Sequence, residues 1–357
     1  MEIPKTEGIK YAGSKLRLLP YIFQMVGELK GIETVLDGFS GSTRVSQAFA
    51  KLGYSTTSND ISAWSEVFAT CYLVSNRPRS YYQELIDYLN SLQGIDGWFT
   101  ENYGGAENEI KKPFQIKNTR KLDAIRDEIE RLNLPWEDKC VLITSLIYAL
   151  DKVDNTLGHY VAYLSDWSAR SYNDLQLKMP LFFSPTGENK VIRDDVFKTV
   201  ANKHFDLVYF DPPYGSNNEK MPPSRVRYAG YYHLWTTIIQ HDKPLLFGKA
   251  NRREDSRDDI SGSVFEEFRK NETGDFLAME ALRKLINETN THYLLLSYSS
   301  GGRATKQQLL DIISESGKLI EIKLIDYKKN VMSSMRSTNE WIHSDEKHHE
   351  YLFLMEK

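Results

Sequence analysis

Short apolar runs that end in an acidic residue alternate with helical patterns in the first part of the chain. Residues 34–39 (TVLDGF) have the composition of a buried strand, which ends at Asp37. A helical pattern follows and stops at Gly53, and residues 54–60 (YSTTSND) then predict a second strand that ends at Asp60. A strand, a tight turn, a helix and a second strand in this order indicate a doubly wound α/β sheet.

This alternation stops after the second predicted strand and returns much later. Residues 66–189 predict mostly helices, with two loops rich in Gly and Asn between them. Strands and helices alternate again from residues 190–197 (KVIRDDVF) and 205–214 (FDLVYFDPPY) onward. We therefore predict one discontinuous Rossmann-like α/β domain, formed by residues 1–65 and 190–357, with 66–189 as a helical insertion between its second and third strands.

Composition adds several expectations about the kind of protein. The 357 residues are 41% hydrophobic and 26% charged, which is ordinary for a globular protein. No apolar run approaches the roughly 20 residues of a membrane span, and the N-terminus has no apolar signal-peptide core. The two cysteines, Cys71 and Cys140, form no CxxC motif, so neither a zinc site nor any other metal site is expected. The simplest expectation is a cytoplasmic protein.

Acidic residues stand at the ends of four predicted strands. They are Asp37, Asp60, the pair Asp194 and Asp195, and Asp211. One such acid can be a helix N-cap and nothing more. In open α/β sheets, however, ligands bind beyond the carboxyl ends of the strands, so four acids at one edge predict a pocket for hydroxyls, amines or positive charge.

The glycine pattern restricts the ligand of that pocket. The segment DGFSGS does not match GxGxxG, and no segment matches GxxxxGK[ST], so binding of a pyrophosphate is not supported. A nucleoside without phosphates fits better, because Asp60 can accept hydrogen bonds from ribose hydroxyls and Asp37 can attract an ammonium or a sulfonium. S-adenosylmethionine has all of these groups.

The segment VYFDPPYGS (208–216) predicts a strand followed by a rigid acceptor site. Pro212 and Pro213 remove backbone donors and hold the preceding residues extended. The Asp211 carboxylate and the Pro212 carbonyl are thereby predicted to form a double acceptor, which complements an amino group with two hydrogens. Tyr214 offers an aromatic face on which a planar base can stack. A plain strand end with an Asp cap and a proline turn is the simpler alternative.

Four segments in a fixed order resemble a known family. KYAGSK (10–15), LDGFSGS (36–42), Asp60 at a strand end and FDPPYG (210–215) are similar to motifs of the D12-class, Dam-like alpha group of DNA adenine-N6 methyltransferases. Later segments, YYHLWTTI and LLLSYSSGGR, also resemble that family, and the resemblance covers most of the chain. It implies the class I S-adenosylmethionine-dependent methyltransferase fold. Separately from the resemblance, we expect residues 66–189 to be a DNA-recognition domain that shares this role with the basic stretch after Asp-Pro-Pro-Tyr.

The resemblance also implies roles for individual residues. Asp37 would contact the methionine end of the cofactor and Asp60 its ribose, while Asp194 or Asp195 would lie near its adenine. Asp211, Pro212, Pro213 and Tyr214 would be catalytic and hold the target base. The implied cofactor-binding set is Tyr11, Lys15, Asp37, Phe39, Gly41, Ser42, Asp60, Asp194, Asp195 and Asp211. Two departures limit the transfer: Tyr11 and Ser14 replace Trp and Gly of Dam, and the insertion is longer than in Dam.

Basic residues are concentrated in two segments, residues 111–121 and 220–253, which we call the basic segments. The formal net charge of the whole chain is nevertheless −4. Such clusters are commonly solvated surface, but they also suit a groove that follows phosphates. If DNA is the substrate, guanidiniums after the acceptor motif can read guanine edges or contact phosphates, and lysines of the insertion can contact phosphates. The candidate DNA-binding residues are Arg225, Arg227, Arg252, Arg253, Lys111, Lys112, Lys117, Arg120 and Lys121.

The expected function is therefore site-specific methylation of a flipped adenine in duplex DNA, with direct methyl transfer and no covalent enzyme intermediate. Alternatives remain: an RNA methyltransferase acting on an exocyclic amine, an N4-cytosine enzyme, which more often has Ser at the position of Asp211, or an inactive DNA- or cofactor-binding relative. The enzyme would be either the modification enzyme of a restriction-modification system, with a separately encoded endonuclease as a possible companion, or an orphan or phage methylase. DNA binding would associate the protein with the nucleoid. We interpret Tyr231, Tyr232 and Trp235 as core residues, and His159 and His233 as packing or DNA-contact residues, not as catalytic bases.

Overall fold

A computed structural model describes residues 2–106, 112–183, 187–201, 203–217, 226–326 and 349–357. A central sheet is built from seven of its strands. They are β1 (Thr34–Asp37), β2 (Ser55–Asn59), β5 (Lys190–Ile192), β6 (His204–Phe210), β9 (Asn290–Ser299), β10 (Lys318–Asp326) and β11 (His349–Glu356). The remaining strands form two small ribbons: β3 (Gly104–Gly105) with β4 (Phe114–Gln115), and β7 (Leu246–Phe247) with β8 (Arg252–Arg253).

The order of strands across the sheet is β10-β11-β9-β6-β1-β2-β5. Strands β5, β2, β1, β6 and β9 are parallel, and the chain reverses direction across the sheet between β1 and β6. Strand β11 is antiparallel to both β9 and β10 and lies between them. This mostly parallel sheet confirms the predicted α/β class and is consistent with the class I methyltransferase fold, and its switch point lies between Asp37 and Asp211.

Helices cover both faces of the sheet and fill the segment between β2 and β5. Those before β5 are α1 (Leu19–Val26), α2 (Arg44–Lys51), α3 (Ala63–Ala69), α4 (Arg79–Ser91), α5 (Trp98–Tyr103), α6 (Ile116–Arg131) and α7 (Trp136–Leu150). Those after it are α8 (Val196–Val200), α9 (Tyr228–Tyr231), α10 (His233–Gln240), α11 (Asp258–Ser261), α12 (Leu277–Glu288) and α13 (Lys306–Ser316). None of the helices in the described ranges is long and apolar enough to span a membrane.

Alternate residues of β6 divide the core of the sheet into two layers. Val208 and Phe210 pack with α8, α12 and α13 on one face. Leu207 and Tyr209 pack with α1 and α2 on the other face. Side chains of a strand alternate between faces, so a run such as FDLVYF must be apolar at nearly every position when both faces are covered.

A third core joins the helices between β2 and β5 to a segment from much later in the chain. Leu234, Trp235 and Ile238 of α10 pack with apolar side chains of α3 to α7. The buried guanidinium of Arg126 in α6 reinforces this junction by donating hydrogen bonds to the carbonyls of Ile238 (2.6 Å) and Ile239 (3.0 Å). The segment that follows Asp-Pro-Pro-Tyr is thus packed into the helical part of the molecule.

The N-terminal segment crosses α2 before it reaches the sheet edge. Gln47 of α2 accepts a hydrogen bond from the amide of Glu7 and donates one to its carbonyl. The apolar pattern of residues 14–29 predicts an amphipathic helix that has Pro20 in an early turn or is kinked there. The structure has a short 3-10 turn (Lys15–Arg17) and then α1, which begins at Leu19, so Pro20 lies in the first turn, where proline is tolerated.

Candidate active site at the carboxyl edge of the sheet

A cavity of about 460 Å³ opens beyond the carboxyl ends of β1, β2 and β6. Its volume is in the range of small-molecule sites. All ten residues predicted to bind a cofactor line it: Tyr11, Lys15, Asp37, Phe39, Gly41, Ser42, Asp60, Asp194, Asp195 and Asp211. Residues that come from five separate stretches of the sequence therefore share one pocket.

The Asp60 carboxylate ties the ends of β1 and β2 together. It accepts hydrogen bonds from the Gly41 amide at 2.9 Å, from the Ser62 amide at 2.8 Å and from the Ser62 hydroxyl at 2.7 Å. Burial raises the pKa of this carboxyl, and the donations from Ser62 and Gly41 oppose that rise. Each carboxylate oxygen can accept more than one hydrogen bond, so Asp60 retains capacity for a ligand hydroxyl.

Asp37 is a buried acid whose two carboxylate oxygens have different surroundings. Its Oδ2 accepts a hydrogen bond from the Ser46 hydroxyl at 2.6 Å, whereas Oδ1 has no hydrogen-bond partner within the described residues. Burial raises the pKa of Asp37 to about 7, the Ser46 hydrogen bond lowers it, and the charges of Asp211 and Asp60 raise it. A buried acceptor in this condition is suited to a cationic or donor group of a ligand.

Tyr11 closes the cavity from the N-terminal segment. Its ring stacks on Tyr232 at a centroid distance of 4.8 Å and on Tyr228 at 5.5 Å. The same ring lies over Gly41, where a Cβ atom would approach Tyr11 Cε1 to 3.0 Å, and Gly41 has a positive φ of 49°. Glycine is therefore required at this turn on both steric and conformational grounds.

Lys15 contacts Asp211, the acid of the acceptor motif Asp211–Tyr214. Its Nζ lies 3.0 Å from Oδ1 of Asp211 and 5.0 Å from the centroid of the Tyr214 ring. Burial raises the pKa of Asp211, while Lys15 and the hydroxyl of Tyr214 lower it. The lysine thus offsets part of the cost of burying the Asp211 carboxylate.

The turn after Asp211 is fixed by Arg303. The Arg303 amide donates to the Tyr214 carbonyl at 2.9 Å, and its guanidinium donates to the Ser216 carbonyl at 2.7 Å. Gly215 has a φ of +65°, and a Cβ there would approach the Arg303 side chain to 2.6 Å. The segment LLLSYSSGGR thereby supports the acceptor motif from the end of β9.

Tyr214 lies beside Asp211 and not on the cavity wall. Its hydroxyl contacts Asp211 and lies 3.2 Å from the hydroxyl of Ser297, while its ring lies 4.7 Å from that of Tyr298. Asp211 and Pro213 line the cavity, whereas Pro212 and Tyr214 are not part of its lining. Stacking of a base on Tyr214 therefore stays a prediction.

Comparison with known proteins identifies the family. The model of the D12 class N6 adenine-specific DNA methyltransferases matches residues 11–258. The chain belongs to this family. The match begins at Tyr11 and includes the Asp211 motif, so the predicted resemblance is confirmed.

Several relatives of this D12-class chain have curated names. Modification methylase StsI of Streptococcus sanguinis is 31% identical over 345 residues, which are 90% of this chain and 48% of that protein. Type II methyltransferase M.FokI of Planomicrobium okeanokoites is 25% identical over 98% of this chain and 53% of that protein. The chain thus spans about half the length of these two relatives. It covers 99% of Type II methyltransferase M.NlaIII of Neisseria lactamica, at 25% identity.

Asp194 and Asp195 of the D12-class chain lie at the start of α8 and differ in their contacts. Asp195 is exposed and caps α8 by accepting a hydrogen bond from the Phe197 amide at 2.9 Å. Asp194 accepts from the Asp195 amide and from Lys198. Both line the cavity near Phe265, which packs edge-to-face on Phe39. The capping contact accounts for Asp195 without a ligand, so Asp194 is the better candidate for a cofactor contact.

The predicted DNA-binding arginines after the acceptor motif occupy different environments. Arg253 is buried at 3% exposure, and its guanidinium donates hydrogen bonds to Asp242 and Asp255. Arg252 and Arg227 are partly exposed and both lie near Asp258, at 3.6 and 3.9 Å. Arg225 lies outside the described residues. The buried ion pairs of Arg253 are those of a structural residue.

The basic side chains around α6 are also engaged. Lys117 pairs with Asp174 at 2.6 Å and Arg120 with Asp96 at 2.6 Å, and these side chains are exposed. Lys112 donates to the carbonyl of Asn102, and Lys121 donates to that of Asn90. Lys111 lies outside the described residues. These lysines and Arg120 do not line the cavity.

The remaining predictions concern packing. Tyr232 and Trp235 are buried in the helical core, as predicted, and Tyr231 packs against it. His233 is buried and its Nε2 lies 3.1 Å from the Tyr160 carbonyl, while burial lowers its pKa to about 3. The described residues contain no cluster of three or more His, Cys, Asp and Glu side chains that could hold a metal ion.

Sequence reasoning missed Tyr228 and Glu350 at the site, and it predicted Arg227 as a DNA contact and not as a residue of the cavity. Tyr228 and Arg227 line the cavity, and Glu350 of β11 approaches Lys15. Tyr228 follows a basic stretch and Glu350 precedes an apolar strand, so neither forms part of a recognisable motif. The one available signal for Glu350 was its position at the start of a predicted strand. Asp37 and Asp211 were identified by the opposite position, at the end of a predicted strand.

Proposed function

We propose that this chain is a site-specific DNA adenine-N6 methyltransferase that uses S-adenosylmethionine and acts on a flipped adenine in duplex DNA. The observation that carries the proposal is the convergence of Asp37, Asp60 and Asp211 on one cavity that Tyr11 closes. Membership of the D12 class supports adenine as the target and DNA as the substrate.

The residues of the cavity fit S-adenosylmethionine. Asp37 Oδ1 is a buried acceptor that lacks a hydrogen-bond partner in the described ranges, and the ammonium of the methionine end complements it. Asp60 can accept from the ribose hydroxyls. The adenine fits the apolar side of the cavity, which includes Phe39, Val264 and Phe265. When bound, the cofactor supplies the methyl group.

Asp211 is the residue that we propose to receive the amine of the target base. Its carboxylate and the Pro212 carbonyl accept the two amine hydrogens, which orients the nitrogen and increases its electron density. Arg303 holds the turn that presents both acceptors, and Lys15 stabilises the Asp211 charge. The base must leave the duplex to reach this site, which costs a few kcal/mol of unstacking. Both cysteines are buried and neither lines the cavity, which supports direct methyl transfer without a thiolate nucleophile.

We assign DNA recognition to residues 66–189 together with the segment after Tyr214. The two are physically joined, because Tyr103 and Tyr163 donate hydrogen bonds to the carbonyls of Asn251 and Ala250 in the turn of the β7–β8 ribbon. Arg227 and Arg252 have partly exposed guanidiniums near this junction and are the favoured base or phosphate contacts.

A direct test is incubation with labelled S-adenosylmethionine and, separately, duplex DNA, tRNA or rRNA, followed by nucleoside analysis. We expect label in N6-methyladenine of duplex DNA. Label in RNA would favour the RNA-methylating alternative, and N4-methylcytosine would change the target base. Binding of the cofactor without transfer to any substrate would indicate an inactive relative.

A second experiment tests where the sequence is read. The segment of M.NlaIII that aligns with residues 66–189 replaces them, and α10 is exchanged with it because Leu234, Trp235 and Ile238 belong to the same core. We expect the chimera to methylate a different sequence, mapped by sequencing of methylated sites. Retention of the original site by a chimera that still binds cofactor would place recognition outside both exchanged segments.

The biological role is proposed on the names of the relatives. They are modification methylases or Type II methyltransferases, so we propose that this chain modifies DNA alongside a separately encoded restriction endonuclease.

A further inference from the structure

A second buried carboxylate, Glu350, lies at the same sheet edge as Asp211. Strand β11 is antiparallel to β9, and Glu350 near its start is paired with Ser299 at the end of β9. The residue is buried at 8% exposure. The reversed direction of β11 thus delivers a side chain to the edge at which β6 and β9 end.

Lys15 connects the two acids. Its Nζ lies 3.0 Å from Asp211 Oδ1 and 4.0 Å from Glu350 Oε1. Glu350 Oε2 is buried and finds no hydrogen-bond partner in the parts of the chain that the structure describes. One ammonium therefore lies between two carboxylates, and removing either charge changes how strongly it attracts the other.

We propose that Glu350 is a positioning residue for methyl transfer. Because Glu350 and Asp211 share the positive charge of Lys15, Asp211 keeps its strength as a hydrogen-bond acceptor. The inference rests on the proposed function. If Lys15 paired with Asp211 alone, its full charge would reduce the electron density that Asp211 can offer to an amine. Without such a role, a buried carboxylate at position 350 would be costly, because buried charges in proteins are normally paired with an opposite charge or belong to a functional site.

The electrostatic surroundings are consistent with this arrangement. Burial raises the pKa of Glu350, Lys15 lowers it, the charge of Asp211 raises it and the nearby hydroxyl of Tyr214 lowers it. The pKa values of the neighbouring tyrosines are raised well above their usual range, so these groups stay neutral while the carboxyls titrate. The titratable groups facing the pair are Lys15 of the N-terminal segment, Asp37 of β1, Tyr209 of β6, Tyr214 after β6 and Tyr228 of α9.

The test compares Glu350→Gln with Glu356→Gln, which removes the same charge from the other end of β11. Loss of the Glu350 charge should lower the pKa of Asp211, so the acidic limb of the kcat–pH profile should move down by about one unit. The plateau kcat should fall about tenfold with little change in cofactor affinity, since Asp211 is then a weaker acceptor. Glu356→Gln should match wild type in both respects. An unshifted profile with wild-type kcat in Glu350→Gln would overturn the proposal.

A second measurement separates this inference from the proposed function. Carboxyl ¹³C NMR titration of Asp211 in the absence of substrate should show the same downward shift in Glu350→Gln. That shift in a chain that methylates no DNA would contradict the proposed function alone. Glu350→Asp, which withdraws the carboxylate by one methylene, should give an intermediate shift. If Glu350→Gln does not fold, Glu350→Asp provides the test. A titration of Asp211 in Glu350→Asp that matches wild type would again overturn the proposal.

Discussion

The carboxyl edge of the sheet and the basic segments are both rich in charge, but their charged groups have different partners. At the edge, Asp37 and Glu350 are buried, and each has one oxygen without a hydrogen-bond partner in the described part of the chain. In the basic segments, Arg253, Lys117 and Arg120 are each paired with nearby acids.

The difference shows which charges carry functional information. A buried acceptor left unsatisfied costs about 1–3 kcal/mol, so its presence indicates a ligand or a neighbouring function that uses it. Exposed ion pairs contribute about 0–1 kcal/mol and form readily on any surface with mixed charge. A local excess of Lys and Arg therefore predicts a DNA-binding surface less well than strand-end acids predict a cavity.

The largest expected effect is at the acid edge. Asp211→Ala should lower methyl transfer by more than about 10³-fold, since general-base and positioning contributions of this kind reach 10²–10⁴-fold. Transfer of label from S-adenosylmethionine to duplex DNA measures it. Asp311→Ala, on the exposed face of α13, is the control. Near-normal methylation by Asp211→Ala would remove the central assignment.

A matching test in the basic region uses Arg253. Arg253→Ala should lower the free energy of unfolding by about 2–3 kcal/mol, because hydrogen bonds to charged partners are lost and Asp242 and Asp255 are left without their cation. Urea denaturation measures this change. Arg252→Ala is the matched variant and should affect stability less and DNA binding more. If Arg253→Ala folds as stably as wild type and loses DNA affinity, the contrast between the two regions fails.

The third prediction concerns cofactor affinity. Asp60→Ala should weaken S-adenosylmethionine binding by about 1.5–3 kcal/mol, the range for a hydrogen bond to a charged group. Calorimetry measures the change. Ser62→Ala removes one donor to Asp60 but leaves its carboxylate, and so separates loop disturbance from a lost ligand contact. Equal losses in both variants would move the ribose contact elsewhere.

The smallest expected effect is a pH dependence. The pKa of Asp37 is raised to about 7, and only its ionised form attracts an ammonium. Cofactor affinity should therefore rise about tenfold per pH unit up to about pH 7 and level off above it. Calorimetry across this range, with Asp37→Asn as the comparison, measures it. An equally steep rise in Asp37→Asn would assign the titration to another group.

The sheet and its acid edge could be predicted from sequence because their signals are local. Strand patterns that stop at Asp37, Asp60 and Asp211 mark strand ends, and parallel strands bring their carboxyl ends to one edge. The helices at α4, α6 and α7 also follow from periodicity, within a few residues at their ends.

The rest depends on contacts between distant parts of the chain. The place of Lys15 beside Asp211 and the packing of α10 on α6 join residues far apart in sequence. The local sequence does not distinguish buried Arg253 from its partly exposed neighbour Arg252. Adjacent residues of a strand point to opposite faces, so the face of the β7–β8 ribbon on which each arginine lies determines whether its side chain is buried.

The position of β11 has a consequence for how the molecule assembles. Strand β11 follows β10 in sequence but inserts between β9 and β10, so neither of these strands can reach its final neighbour until β11 arrives. Until then β9 exposes a row of unpaired backbone groups, an open edge that favours aggregation of a partly synthesised chain. Because Glu350 lies on β11, the arrangement of charge around Asp211 is completed in the same event. Closure of the sheet and completion of the site are thus one step, and a nascent chain that already contains Asp-Pro-Pro-Tyr still lacks its full active site.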